Sequence, residues 1–396
     1  MSPPHPDKLL TRATLLLLST LTVTAGAIIA PSLPAMHRHF EAISDAEFLV
    51  RLALTMPALG VVIGSPIAGR LVDRTGRKPL LILSAILYGL AGGSGFVLNS
   101  LTAILASRAL LGLAVAGVMV SSTVLIADYY RGDQRANFMG LQAAFMGLGA
   151  VVSLAIGGWL ADLNWRSPFL IYLSAWGLLP MMVTALSEPL QDRPKPALNS
   201  TATIEKLPVK LLLFIYSSAF LMQIVFYLIP VQLPFYLERL AATNATQSGL
   251  AIATTTFFSA LASTNYSRIK RRMGFVTILG LAFLLMGLGY IGIGLAHSYV
   301  LVLLLLVPTG LGLGLIIPNL NVWTCTEVHD RQRGRALGGL TTFLFLGQFL
   351  SAIASHAIVA NLGIAATYGL TGILLVVIGV LLWIYRKLIL QRLYRP

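Results

Sequence analysis

The chain has 396 residues, of which 57% are hydrophobic and 11% charged, with a formal net charge of +14. A soluble protein of this length carries about 25% charged residues, so this chain cannot cover a water-facing surface, and its apolar content excludes disorder. Its single cysteine, Cys325, excludes an intrachain disulfide and any cysteine-based zinc site.

A bilayer crossing needs about 20 apolar residues, and runs free of Asp, Glu, Lys and Arg supply them along the whole chain. The first two predicted spans are 10–31 and 48–69. The next two, 79–98 and 101–123, flank a hairpin at Asn99-Ser100, and 138–160 and 168–186 complete the first half. Span one is too long for a signal-peptide core, and no small-residue cleavage site follows it. Residues 187–210 break the pattern with Pro189, Pro194, Pro196 and Pro208 around Asn199-Ser200-Thr201, and read as a linker. Beyond it come 211–232 and 247–266. Spans 275–296 and 299–322 then flank His297-Ser298, and 337–358 and 364–385 flank Asn361-Leu362-Gly363.

The expectation is an all-α integral membrane protein of twelve helices, since lipid offers the backbone no hydrogen-bond partners. A transmembrane barrel would show alternating segments of about ten residues instead. The domain expectation is a six-helix bundle over 1–186, a cytoplasmic linker over 187–210 and a second six-helix bundle over 211–396.

Placing the N-terminus in the cytoplasm puts Arg38, Arg51, Arg166 and Arg239 at the outer loops and helix ends, with Arg108 inside a span. All other Lys and Arg then fall on the cytoplasmic side, as positively charged inner loops require. The +14 is thereby explained by topology and contact with anionic lipid, without nucleic acid. Both termini are expected in the cytoplasm.

A shift of 198 residues lays the second half on the first. Arg70 falls on Arg268, Arg74 on Arg272 and Gly76 on Gly274. Gly112 falls on Gly310, Arg135 on Arg333, Gly140 on Gly338, Gly149 on Gly347 and Ser153 on Ser351. Parallel repeats joined by a loop are a secondary-transporter architecture, with the substrate site between the halves near the midplane.

The run Gly69-Arg70-Leu71-Val72-Asp73-Arg74-Thr75-Gly76-Arg77-Lys78 joins spans two and three. In residues and position it resembles the signature loop of the major facilitator superfamily. The resemblance implies that Asp73 locks one state of an alternating-access transporter, with Arg77 as charge partner and Asp128, in Ala127-Asp128-Tyr129-Tyr130, completing a charge relay. Arg74 and Arg135 join this gating set, and Gly69 and Gly76 shape the loop. Arg108-Ala109-Leu110-Leu111-Gly112 and Trp165-Arg166-Ser167-Pro168-Phe169 resemble segments of the twelve-span drug:proton antiporters. Gly149, Gly157 and Gly158 match helix-packing positions of that group's span-five motif, where Ser153-Leu154 replaces its Gly-Pro. Export of a small amphiphile, drug-like compound or endogenous metabolite follows, with protons as coupling ion, as a monomer in the bacterial inner membrane.

No enzyme signature is present. The absence of a Walker A motif excludes ATP as direct energy source, and neither a cofactor nor a metal is expected. All Asp and Glu lie in loops or near helix ends, so Asp128 and His356 are the proton-coupling candidates. The embedded charge is Arg108, and a charge at that depth usually faces a cavity. It would suit an anionic metabolite such as a carboxylate siderophore. Arg51 is either a second cavity cation or a surface anchor that snorkels. Gln223 and Tyr227, four apart on one helix face, join Asn319 and Gln348 as polar substrate candidates. An uncoupled facilitator is the alternative that needs no titratable relay.

Overall fold

Prolines and glycines decide where the helices begin and end. In the computed structural model, which describes residues 9–188 and 207–393, α1 (Leu9–Ala27) gives way to a 3₁₀ turn at Ala30–Ser32 and a short helix α2 (Leu33–His39). Pro31 and Pro34 sit in the first turns of those two pieces. A proline fits there because its missing N–H has no helical partner to lose. The first helix therefore ends earlier than 31 and continues as a bent segment. Helices α3 (Ala46–Thr75), α4 (Arg77–Gly93), α5 (Leu101–Tyr129) and α6 (Gly132–Leu163) follow. The sixth crossing is segmented into a 3₁₀ stretch Ser167–Leu173, α7 (Ser174–Gly177) and α8 (Leu179–Ala185), with Pro168 and Pro180 opening the first and last pieces.

The second half holds α9 (Val209–Ala241), α10 (Ala245–Lys270), α11 (Phe275–Leu295), α12 (Tyr299–Glu327), α13 (Asp330–Ile384) and a terminal α14 (Arg386–Leu393). Helix α9 runs through Pro230 and Pro234 well past the predicted end at 232. Neighbouring helices can re-satisfy backbone groups that a membrane proline frees. Helix α13 is two crossings, because its backbone leaves the helix at Gly363 (φ 79°, ψ 168°), the glycine of the predicted hairpin.

Among the described residues, ten helical segments are long and apolar enough to cross a membrane, and one of them, 332–384, holds two crossings. The Ser- and Thr-rich α10 supplies the twelfth. No strand occurs among the described residues. The fold is all-α, with two six-helix bundles. The linker expected at 187–210 falls mostly on residues 189–206, outside the described residues.

The repeat is visible in the packing. A Cβ added to Gly112 would collide with the Pro57 carbonyl and Gly60, and one added to Gly310 with the Thr255 carbonyl and Phe258. Positions 57, 60 and 112 shifted by 198 become 255, 258 and 310, so the α3–α5 and α10–α12 crossings use the same contact. Small residues at such points let backbones approach closely.

Candidate functional site

A cavity of about 400 Å³ lies where the two halves meet. Two ends of the molecule frame it. The linker end carries residues 75–77, 129–132, 186–188, 207–209 and 270–275, and the distal end carries 28–46, 163–167 and 241–245. The first half contributes Thr22, Gly26, Pro57, Met119 and Met146 to the lining, and the second half contributes Gln223, Phe226, Tyr227, Thr256, Phe345 and Gln348. Val61, Met119 and Phe345 also line a second hollow of about 530 Å³, which extends towards Gly334 and Gly338 at the linker end.

At the distal end the halves are tied together. Arg38 pairs with Glu238, and Glu47 accepts from Arg51 at 2.6 Å and lies 3.8 Å from Arg239. The Asp162 carboxylate accepts from the Ala245 and Thr246 backbone N–H groups at 2.7 and 3.1 Å, and from the Thr246 hydroxyl. A first-half acid thus satisfies two donors that the start of α10 leaves free, while Asn244 and Gln247 close their own reciprocal cap. Closely packed glycines lie here too. A Cβ on Gly157 would meet the Ile28 carbonyl at 2.5 Å, and one on Gly158 the Ala245 carbonyl at 2.7 Å. Gly149 packs on Thr20 in the same way, within the first half.

The structure brings Gln223, Tyr227 and Gln348 together in the cavity wall. Tyr227 and Gln348 face Gly26 across the interface, with the Tyr227 hydroxyl 3.0 Å and Gln348 Nε2 3.3 Å from where a Gly26 Cβ would lie. Arg108, Arg51 and Asn319 lie outside this lining. Arg108 is fully buried, donates from Nη2 to the Gly92 carbonyl at 2.8 Å, and sits 4.9 and 4.7 Å from the Phe169 and Tyr172 ring centroids. Backbone carbonyls and ring faces meet its charge within the first half, which corrects its expected place on a substrate cavity.

Arg51 does not snorkel. It is 1% exposed, ion-paired to Glu47 and packed over Phe235 at 4.7 Å. The Asn319 amide accepts from the Tyr266 hydroxyl and donates to the Phe275 carbonyl, so it joins helices of the second half.

The signature loop is built around Arg77. Its Nε donates to Asp128 at 3.0 Å, and the Arg77 and Lys78 backbone N–H groups donate to the Glu188 carboxylate at 2.8 and 2.7 Å. A carboxylate at a helix start satisfies orphan donors and complements the helix dipole. Gly76 has φ +93°, a conformation that demands glycine, and an added Cβ would push on the Glu188 carboxylate at 2.8 Å. A Cβ on Gly69 would meet nothing within 4 Å, so its absence of a side chain is not needed for packing. Asp73, Arg74 and Arg135 are exposed at the linker end.

Neither proton-coupling candidate lines the cavity. Asp128 is held by Arg77, and His356 packs on Phe48 at 4.8 Å with Nδ1 buried and without a hydrogen bond. Among the described residues, no group of three or more His, Cys, Asp or Glu could hold a metal. Sequence reasoning missed Glu188, whose capping role depends on a fold-back from the sixth crossing. It also missed Gly26, Met119, Met146 and Phe345, whose residue types equally mark lipid-facing positions.

Curated relatives carry transporter names. The chain is 26% identical over 86% of its length, and 88% of the relative's, to a bacillibactin exporter of Bacillus subtilis (strain 168). It is 31% identical over 37% of its length to the multidrug transporter protein MdtP of the same organism, and 28% identical over 43% to the quinolone resistance protein NorA of Staphylococcus aureus. Those two matches span only 27% of MdtP and 43% of NorA. Two solved structures share the fold. One is a D-xylose-proton symporter (TM-score 0.77, 16% identity, 94% of this chain and 97% of that one). The other is a bacterial homologue of the human lysosomal transporter Spinster in an inward-facing and occupied conformation (TM-score 0.76, 16% identity, 98% and 97%). The Major Facilitator Superfamily model matches residues 15–243 and 215–391, and the chain belongs to that family.

Proposed function

We propose that this protein is a secondary transporter that exports small amphiphilic molecules by alternating access and performs no enzymatic chemistry. The observation that carries the reading is a cavity lined by both halves and closed at the distal end by contacts that join them. Such contacts must break when the halves rock, and a ligand with different affinity for the two states shifts their balance. The names of the multidrug and bacillibactin-exporting relatives support the export direction. The Lys and Arg distribution supports a linker end and both termini facing the cytoplasm of a bacterial inner membrane. The protein is proposed to act as a monomer, with Asp73, Arg77 and Asp128 as its gating charges and protons as coupling ion.

A second reading, uncoupled facilitation, is favoured by one observation: no titratable acid or histidine is among the residues lining the cavity. Flux into proteoliposomes with and without an imposed pH gradient separates the two. Acceleration by the gradient supports antiport, and indifference to it supports the facilitator. In the same assay Asp73→Asn should lower flux about tenfold, the loss of one charge-assisted contact. Unchanged flux at equal protein would remove the lock.

A further inference from the structure

We infer that the cavity selects uncharged amphiphiles that carry a hydrogen-bonding carbonyl, amide or hydroxyl group, and discriminates against both organic cations and anions. The inference rests on the export reading and narrows it. Among the described residues that line the central cavity and the hollow beside it, none is Asp, Glu, Lys, Arg or His. The buried guanidiniums are already engaged, Arg51 by Glu47, Arg77 by Asp128 and Arg108 by backbone carbonyls and rings. An ion entering this space would shed water and meet no counter-charge, which is far costlier than desolvating a neutral molecule.

A neutral polar group does find partners. Gln348 is 5% exposed and Tyr227 9% exposed, and neither side chain has a hydrogen-bond partner among the described residues. With Gln223 they offer two amides and a phenol. Gly26, facing Tyr227 and Gln348 from the other half, leaves that polar corner open. The apolar remainder is adaptable, because Met119 and Met146 can repack around different shapes.

The test uses the full-length protein in proteoliposomes with matched radiolabelled probes. Chloramphenicol and carbamazepine are neutral, tetraphenylphosphonium is a permanent cation, and 2,3-dihydroxybenzoate is an anion. Counterflow is measured beside gradient-driven uptake, so that the assay does not depend on coupling. A neutral probe should move saturably, with both ions at the rate of empty liposomes. Gln348→Leu, close in volume, should raise the KM for the neutral probe at least tenfold in protein that stays monodisperse. Gln348→Glu, or Gln223→Glu if the first does not fold, should admit tetraphenylphosphonium and slow the neutral probe. Transport of either ion by the unaltered protein at the neutral rate overturns the selectivity while leaving the export reading standing. If no probe exceeds empty liposomes even in counterflow, the transport reading falls, and the selectivity with it.

Discussion

The corner between α3 and α4 and its counterpart between α10 and α11 occupy equivalent places in the repeat, yet they are held by opposite chemistry. In the first half the corner is ionic, with Arg77 tied to Asp128 and Glu188 capping α4. In the second half position 77 becomes Phe275, position 128 becomes Thr326 and position 73 becomes Arg271. There Phe275 stacks on Trp323 (5.1 Å, 5°), Lys270 lies over its ring at 3.8 Å, and Asn319 donates to its carbonyl. Gly76 has φ +93°, whereas Gly274 has φ −75°. A duplicated geometry can thus be kept by aromatic packing, which is indifferent to salt, or by ion pairs, which salt and substitution weaken. The ionic corner is the adjustable one, and it carries the resemblance to a gate.

The largest expected effect is on the aromatic side. Trp323 is fully buried, and Trp323→Ala should cost about 3–5 kcal/mol, read as a lowered midpoint of thermal unfolding in detergent that does not change with salt. A small loss would mean that the stack does not hold the second corner. Next comes Gly76→Ala. Its conformation is essentially glycine-only, which costs about 1–3 kcal/mol for another residue, and its methyl would press on Glu188. Destabilisation equal to that of Gly274→Ala would erase the distinction between the two loops. Glu188→Gln follows at about 1 kcal/mol, a charge-assisted cap half open to water. High salt should shrink that difference, and a salt-independent effect would argue against an ionic corner. The smallest change is Gly274→Ala itself. With ordinary φ and nothing within 4 Å of the added Cβ, it should leave stability within about 0.5 kcal/mol of the unaltered protein.

Much of the fold was legible because membrane helices announce themselves through uninterrupted apolar runs, and the hairpin at Gly363 was marked by its own glycine. The segmented first and sixth crossings were less legible, since a proline in a first turn and a proline within a helix look alike in one dimension. The site divides in the same way. Gln223, Tyr227 and Gln348 stood out as rare polar residues on apolar helices, and the structure sets them in one wall. Arg108 stood out for the same reason, but its partners, the carbonyls of Ala91 and Gly92 and the rings of Phe169 and Tyr172, are groups that no charge pattern reveals. Gly26 was invisible because its meaning lies in the approach of Tyr227 and Gln348, about two hundred and three hundred residues away in the chain.

The confinement of charge has an electrical consequence. Moving one elementary charge through the membrane potential is worth about 2.3 kcal/mol per 100 mV. Arg108 is bound to partners of its own half and travels with them, and Arg51 is neutralised by Glu47 on the same helix. The cavity wall adds no charge of its own among the described residues. Apart from Arg108, whose partners are neutral, the buried charge among the described residues moves as paired ions, so a rocking motion of the two halves carries little net charge through the field. Whatever further voltage sensitivity transport shows then reports the charge that crosses during turnover, and a current recorded across a planar bilayer or a solid-supported membrane would count that charge directly.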